Sequence, residues 1–141
     1  MQTKVNETTR WLDEFHRAYL ECALWSSTDE SDPSGGDPVD ATFSIEDIDP
    51  GSMVATRETC QDFLIANLED LRQYDERMRN EQWTGWSRAG HDFWLTRNGH
   101  GAGFWDRGLG DLGQRLTKAA EVYGATNIHV NFENPKAVYF E

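Results

Sequence analysis

The chain has 141 residues, a net charge of −12 and a mean hydropathy of −0.73. That length suits one domain, 1–141, with a core of its own. With no apolar run after Met1 and none near the roughly 18 residues of a membrane span, neither a signal peptide nor a membrane span is expected, and a cytoplasmic protein is expected.

Thr8 or Thr9 can cap a first helix from Arg10 to Trp25, on which Trp11, Phe15, Tyr19 and Cys22 follow helical spacing. Cys22 and Cys60 each lie in a helical pattern and read as reduced core thiols; nothing demands a bridge between them. From Ser26 to Gly51 the composition turns to Ser, Asp, Gly and Pro, a loop in which Ala41, Phe43 and Ile45 alternate as a short edge strand or a loop anchor. A second helix is expected from Ser52 to Asn80, with Cys60, Leu64, Leu71, Tyr74 and Met78 on one face and Asn67 at a boundary. The two helices should pack as a hairpin.

The stretch 90–107 reads GHDFWLTRNGHGAGFWDR and mixes aromatics, glycines and ionisable groups. His91 to Thr96 alternate, Asn98-Gly99-His100-Gly101 tolerates positive φ, and Gly103 to Trp105 would return, so a β-hairpin is predicted. A third helix follows from Leu109 or Asp111 to Tyr123, stopped by Gly124. Ile128, Val130 and Phe132 alternate, Glu133 to Lys136 turn, and Ala137 to Phe140 return as a last strand. The fold class expected is α+β: two N-terminal helices packed as a hairpin, then β-hairpin, helix and β-hairpin in a small, mainly antiparallel four-stranded sheet. Residues 10–80 form the acidic helical part with loop 26–51, and 87–141 the ββαββ part.

Charge is uneven. Residues 1–86 hold 19 acidic and 7 basic side chains, whereas 87–141 hold six of each. Asp29, Glu30, Asp32, Asp37, Asp40, Glu46, Asp47 and Asp49 succeed one another without a lysine or arginine. Such a field repels nucleic-acid phosphate and attracts basic surfaces, so this is either a solvated loop or a face for a basic partner. The oxygen spacing does not fit a calcium loop of the EF-hand kind.

Within the 90–107 block, His91, Asp92, Arg97, Asn98, His100, Asp106 and Arg107 are the candidate binding residues. His91, Asp92, His100 and Asp106 are ligand types for a divalent metal, with His129 able to join, although the spacing is no zinc motif and the metal stays unassigned. Arg88, Arg97 and Arg107 beside Trp83, Trp86, Trp94 and Trp105 suggest stacking of single-stranded bases, against which the net charge stands. The glycines could cradle an anion, but neither a P-loop nor a Rossmann arrangement is present. The structural reading makes Trp94 and Trp105 core, with Arg97, His100 and Asp106 on an exposed rim. No catalytic residue is assigned and no cofactor is implied.

The block, together with Tyr19 to Glu30 (YLECALWSSTDE), resembles a family of small proteins encoded by bacteriophages, prophages and mobile elements. The likeness runs from about Tyr19 to about Tyr123. The resemblance implies a phage-type product acting in the bacterial cytoplasm, and no catalytic roles. Joined to one-sided acidity, it suggests stoichiometric binding to a basic host protein or nucleoprotein complex, as an inhibitor of nucleic-acid-handling defence machinery of the anti-restriction or anti-CRISPR kind. The alternative is a metal-dependent hydrolase or a nucleotide- or single-strand-binding protein using the 90–107 hairpin.

Overall fold

The computed structural model describes residues 2–29 and 36–141. Helix α1 (Gln2–Ser26) starts earlier than the expected Arg10. It buries Leu12, Phe15, His16, Tyr19, Leu20 and Ala23, a stripe at three- and four-residue intervals. The expected edge strand over 41–45 is replaced by two 3-10 turns, Val39–Ala41 and Ile45–Asp47. Here Asp47 accepts from the Ser44 backbone at 2.9 Å, which favours a turn over extension.

Asp49 then caps α2 (Pro50–Ala66) by accepting from Ser52 N at 3.1 Å, with Pro50 in the first turn, where its missing N–H costs nothing. The single helix expected over 52–80 is two. Asn67 leaves helical geometry (φ −120°, ψ 25°) and its amide donates to the Phe63 carbonyl at 2.9 Å, so α3 (Leu68–Met78) sets off afresh. Contacts between α1 and α2 exist, as the hairpin reading required, but α1 packs chiefly along α4.

That helix, α4 (Gly85–Arg97), overturns the predicted fold class. The block read as a β-hairpin is an α-helix followed by a loop, and the protein has five α-helices with one two-stranded sheet among the described residues, not four strands. Thr84 caps it, accepting from Ser87 N at 3.1 Å. Trp86, Ala89, Gly90, Phe93 and Trp94 recur at i, i+3, i+4, i+7 and i+8, and all are buried. Asn98-Gly99 is no hairpin turn. Gly99 takes φ +69°, its N–H meets the Thr96 carbonyl at 3.1 Å, and His100 N–H meets Leu95 at 3.0 Å, the paired bonds of a Schellman stop.

The loop after α4 makes a 3-10 turn at Phe104–Asp106 and leads into α5 (Asp111–Glu121), which presents Leu112, Leu116 and Ala120 inward. The last hairpin is as expected: β1 (Ile128–Asn131) pairs antiparallel with β2 (Ala137–Phe140), Val130 opposite Val138. Ile48 bridges to Val138 and ties the turn before α2 to this sheet. Among the described residues no helix is long and apolar enough to cross a membrane.

An aromatic core fills the space between α1, α2 and α4. Phe63 stacks on Phe93 at 4.1 Å, and Tyr19 meets Trp94 edge-on at 5.3 Å. Burial of such side chains contributes about 1.5–3 kcal/mol each. Gly90 permits the closest approach: a Cβ there would lie 2.0 Å from the Phe15 carbonyl oxygen. The glycine serves helix packing, not a turn.

Candidate functional site

Asp92 is fully buried on α4 and is held from two directions. Arg107, in the loop after α4, reaches back with Nη2 at 2.6 Å from Oδ1 and Nε at 3.1 Å from Oδ2. Tyr74 on α3 donates its hydroxyl to Oδ2 at 2.5 Å. Burial alone would push the Asp92 carboxyl up, but His91, Arg107 and Tyr74 outweigh it and hold the group below the usual carboxylate range. Arg107 and Tyr74 are the hydrogen-bond donors, since His91 Nδ1 stands 3.6 Å away. Burial, then the Asp92 charge, raises the Tyr74 phenol, so it stays protonated as a donor. Thus α3, α4 and the following loop are locked at one buried carboxylate.

The other polar members of the block also face the scaffold. Arg97 donates to the carbonyls of Gly124 (2.8 Å) and Tyr123 (3.0 Å) beyond α5, and to the Tyr19 hydroxyl at 3.1 Å. Asn98 accepts from Thr126 N at 2.8 Å and donates to the Trp94 carbonyl at 2.9 Å. Thr96 accepts from Phe104 N at 3.1 Å. Arg97, expected on an exposed rim, is instead half-buried and engaged with the scaffold, whereas His100 and Asp106 are exposed as expected. Trp94 is buried and donates to Ser26 at 2.9 Å, while Trp105, predicted as core, is 51% exposed.

His91 and His100 line different grooves, so the metal arrangement that needed them together is not formed. Among the described residues no group of three or more His, Cys, Asp or Glu side chains is placed to hold a metal. The base-stacking set is divided: Trp83 and Trp105 are exposed, with Arg88 over Trp83. Trp86 and Trp94 are buried, and Arg97 and Arg107 are engaged internally.

In the acidic segment, Asp29 accepts from Asp37 N at 3.2 Å and Asp49 caps α2. Asp47 holds the Ser44 backbone and stands 3.9 Å from Lys136. Asp37, Asp40 and Glu46 are exposed. Glu30 and Asp32 lie outside the described residues.

One concavity with two exposed tryptophans was not among the expected sites. It is a groove of about 420 Å³ between α1 and the segment 83–91, walled by Trp25 and Trp83. These side chains are 60% and 43% exposed. Glu14 and Glu21 of α1 border it, Cys22 lies at its base, and His91 stands 6.1 Å from the Trp25 ring. Burial pushes the Cys22 thiol up to about 12, with the Asp92 charge adding to this, so it is an inert thiol rather than a nucleophile. Arg88 lays its guanidinium 4.7 Å from the Trp83 ring centre. A signal was present: Trp83 follows the polar run Asn80-Glu81-Gln82, and Trp25 precedes the Ser- and Asp-rich segment.

Comparison of the chain with protein-family models, with curated proteins and with solved structures finds no match.

Proposed function

We propose that this protein acts by stoichiometric binding to a partner with a basic surface. The setting suggested by the resemblance is that of a phage-type accessory protein in the bacterial cytoplasm, inhibiting nucleic-acid-handling defence machinery in the anti-restriction or anti-CRISPR manner. The observation that carries the reading is the outward display of acidic groups from the first part of the chain. Glu21, Asp37, Asp40, Glu46, Glu58, Glu69, Glu76 and Glu81 are all exposed. Exposed carboxylates contribute little to stability but set a long-range field that speeds encounter with a cationic surface. Proteins that handle DNA or RNA are cationic where they hold it, since duplex DNA carries one charge per roughly 1.7 Å of axis.

Co-purification of a tagged copy from a bacterial host, over a salt series, tests this. A basic partner held in fixed stoichiometry at low salt, with association slowing as salt rises, is expected. Recovery of no basic partner at low salt would contradict it.

A further inference from the structure

Two exposed tryptophans and two glutamates meet in the groove beside α1, and the fold uses neither indole as core. We propose that this groove receives one basic side chain, an arginine or lysine, presented by the partner protein. The inference rests on the preceding reading that the partner is basic, and it names where on this chain the contact is made.

Two indoles form the walls of the groove. A cation over an indole face is attracted by the ring quadrupole, tryptophan being the strongest of the aromatic rings for this. The protein already uses this chemistry on one wall of the groove, where Arg88 lies over Trp83 at 4.7 Å, and again where Arg72 lies over Trp11 at 5.3 Å; Trp25 carries no such cation among the described residues. Charge complementarity comes from α1. Glu14 and Glu21 line the groove together with Arg17, which shares its charge with Glu21 at 3.5 Å, both being exposed; Glu14 makes no ion pair among the described residues. Burial raises the Glu14 carboxyl, and Asp75 and Asp13 act in the same direction against Thr84 and Arg10. An incoming cation would therefore give Glu14 the close counter-charge that its partly buried carboxyl lacks. The methylenes of a long basic side chain suit the base formed by Ala18 and Cys22.

The protein, labelled for NMR, provides the test through its indole N–H resonances, with Trp25 and Trp83 assigned from Trp25→Phe and Trp83→Phe. The probe is a capped leucine-arginine-leucine tripeptide, and the control has glutamate in place of arginine. Both indoles should shift with the arginine probe, while Glu14→Gln weakens its binding about tenfold and the glutamate probe binds more weakly still. Immobile indoles at millimolar probe, or equal response to the glutamate probe, would overturn the proposal. Thermal melts of each variant establish that the fold is kept. The two readings fail separately. A partner captured equally well by Trp25→Ala and Trp83→Ala would remove the groove and leave stoichiometric binding standing. Probe binding without any basic partner in the host would do the reverse.

Discussion

Two regions of the molecule treat carboxylates in opposite ways. Around α4 one carboxylate, Asp92, is stripped of water and surrounded by Arg107 and Tyr74. In the segment 36–49, Asp47 and Asp49 cap backbone at partly exposed positions, and Asp37, Asp40 and Glu46 face solvent. The difference is one of dielectric. Breaking a buried pair costs about 3–5 kcal/mol because a charge is left without partners, whereas an exposed pair is worth about 0–1 kcal/mol. A cluster of ionisable residues thus signals a site only when its members face outward. Here much of the block with the richest chemistry in sequence is spent on the fold, and the plainer acidic surface is left facing solvent.

The sharpest way to break this comparison is Asp92→Ala, which leaves Arg107 partly buried without its counter-charge. Its expected cost is about 3–5 kcal/mol in urea unfolding. Next comes Gly90→Ala, where the new Cβ meets the Phe15 carbonyl and must force α1 and α4 apart. About 3 kcal/mol is expected, at the upper end for overpacking, with a lower melting temperature as the readout.

His16 sharpens the contrast through pH. It is buried and hydrogen-bonded to Thr56 at 2.8 Å, and burial, with Arg57 adding to it against Asp13, pulls its pKa from 6.5 down to about 4. Depression means the unfolded chain binds the proton more readily. The contribution of His16 is complete above about pH 6.5 and is lost as pH falls toward about 4, by roughly 2–3 kcal/mol in total. Stability measured across that window should fall, and His16→Gln should flatten the curve. Asp92, also depressed, loses its contribution at lower pH, as its carboxylate titrates.

The smallest effect on folding belongs to the outer region. Converting Asp37, Asp40 and Glu46 to Asn or Gln should change stability by within about 0.5 kcal/mol each. Association with the basic partner should nonetheless slow and lose salt dependence, read by stopped-flow or surface-binding kinetics.

Much of the peripheral fold was legible in the sequence. The third predicted helix, its stop at Gly124 and the last hairpin carry unambiguous period and turn chemistry, and they stand where expected. The centre was misread because six alternating residues, His91 to Thr96, outweighed the longer helical recurrence that begins at Trp86 behind Thr84. Asn98-Gly99 suits both a hairpin turn and a helix stop, and only the Schellman bonds to Thr96 and Leu95 separate the two. For the site, ionisable chemistry was visible but its direction was not. The hydrogen bond of Asp92 with Tyr74 joins positions 18 apart on different helices, which no local pattern encodes. Trp25 at a helix end and Trp83 in a polar stretch carry no local pattern that brings them to one groove; their meeting depends on how α1 and α4 pack.

The central claim is that the 90–107 block acts through the fold. A double-mutant cycle on Asp92→Asn and Arg107→Met, followed by urea unfolding and partner capture, tests it most directly. Each single change should cost stability, the two should be coupled by about 2–3 kcal/mol, and capture should decline only in step with the folded fraction. Additive variants of near-native stability that nonetheless lose the partner would contradict it and make the block a binding site.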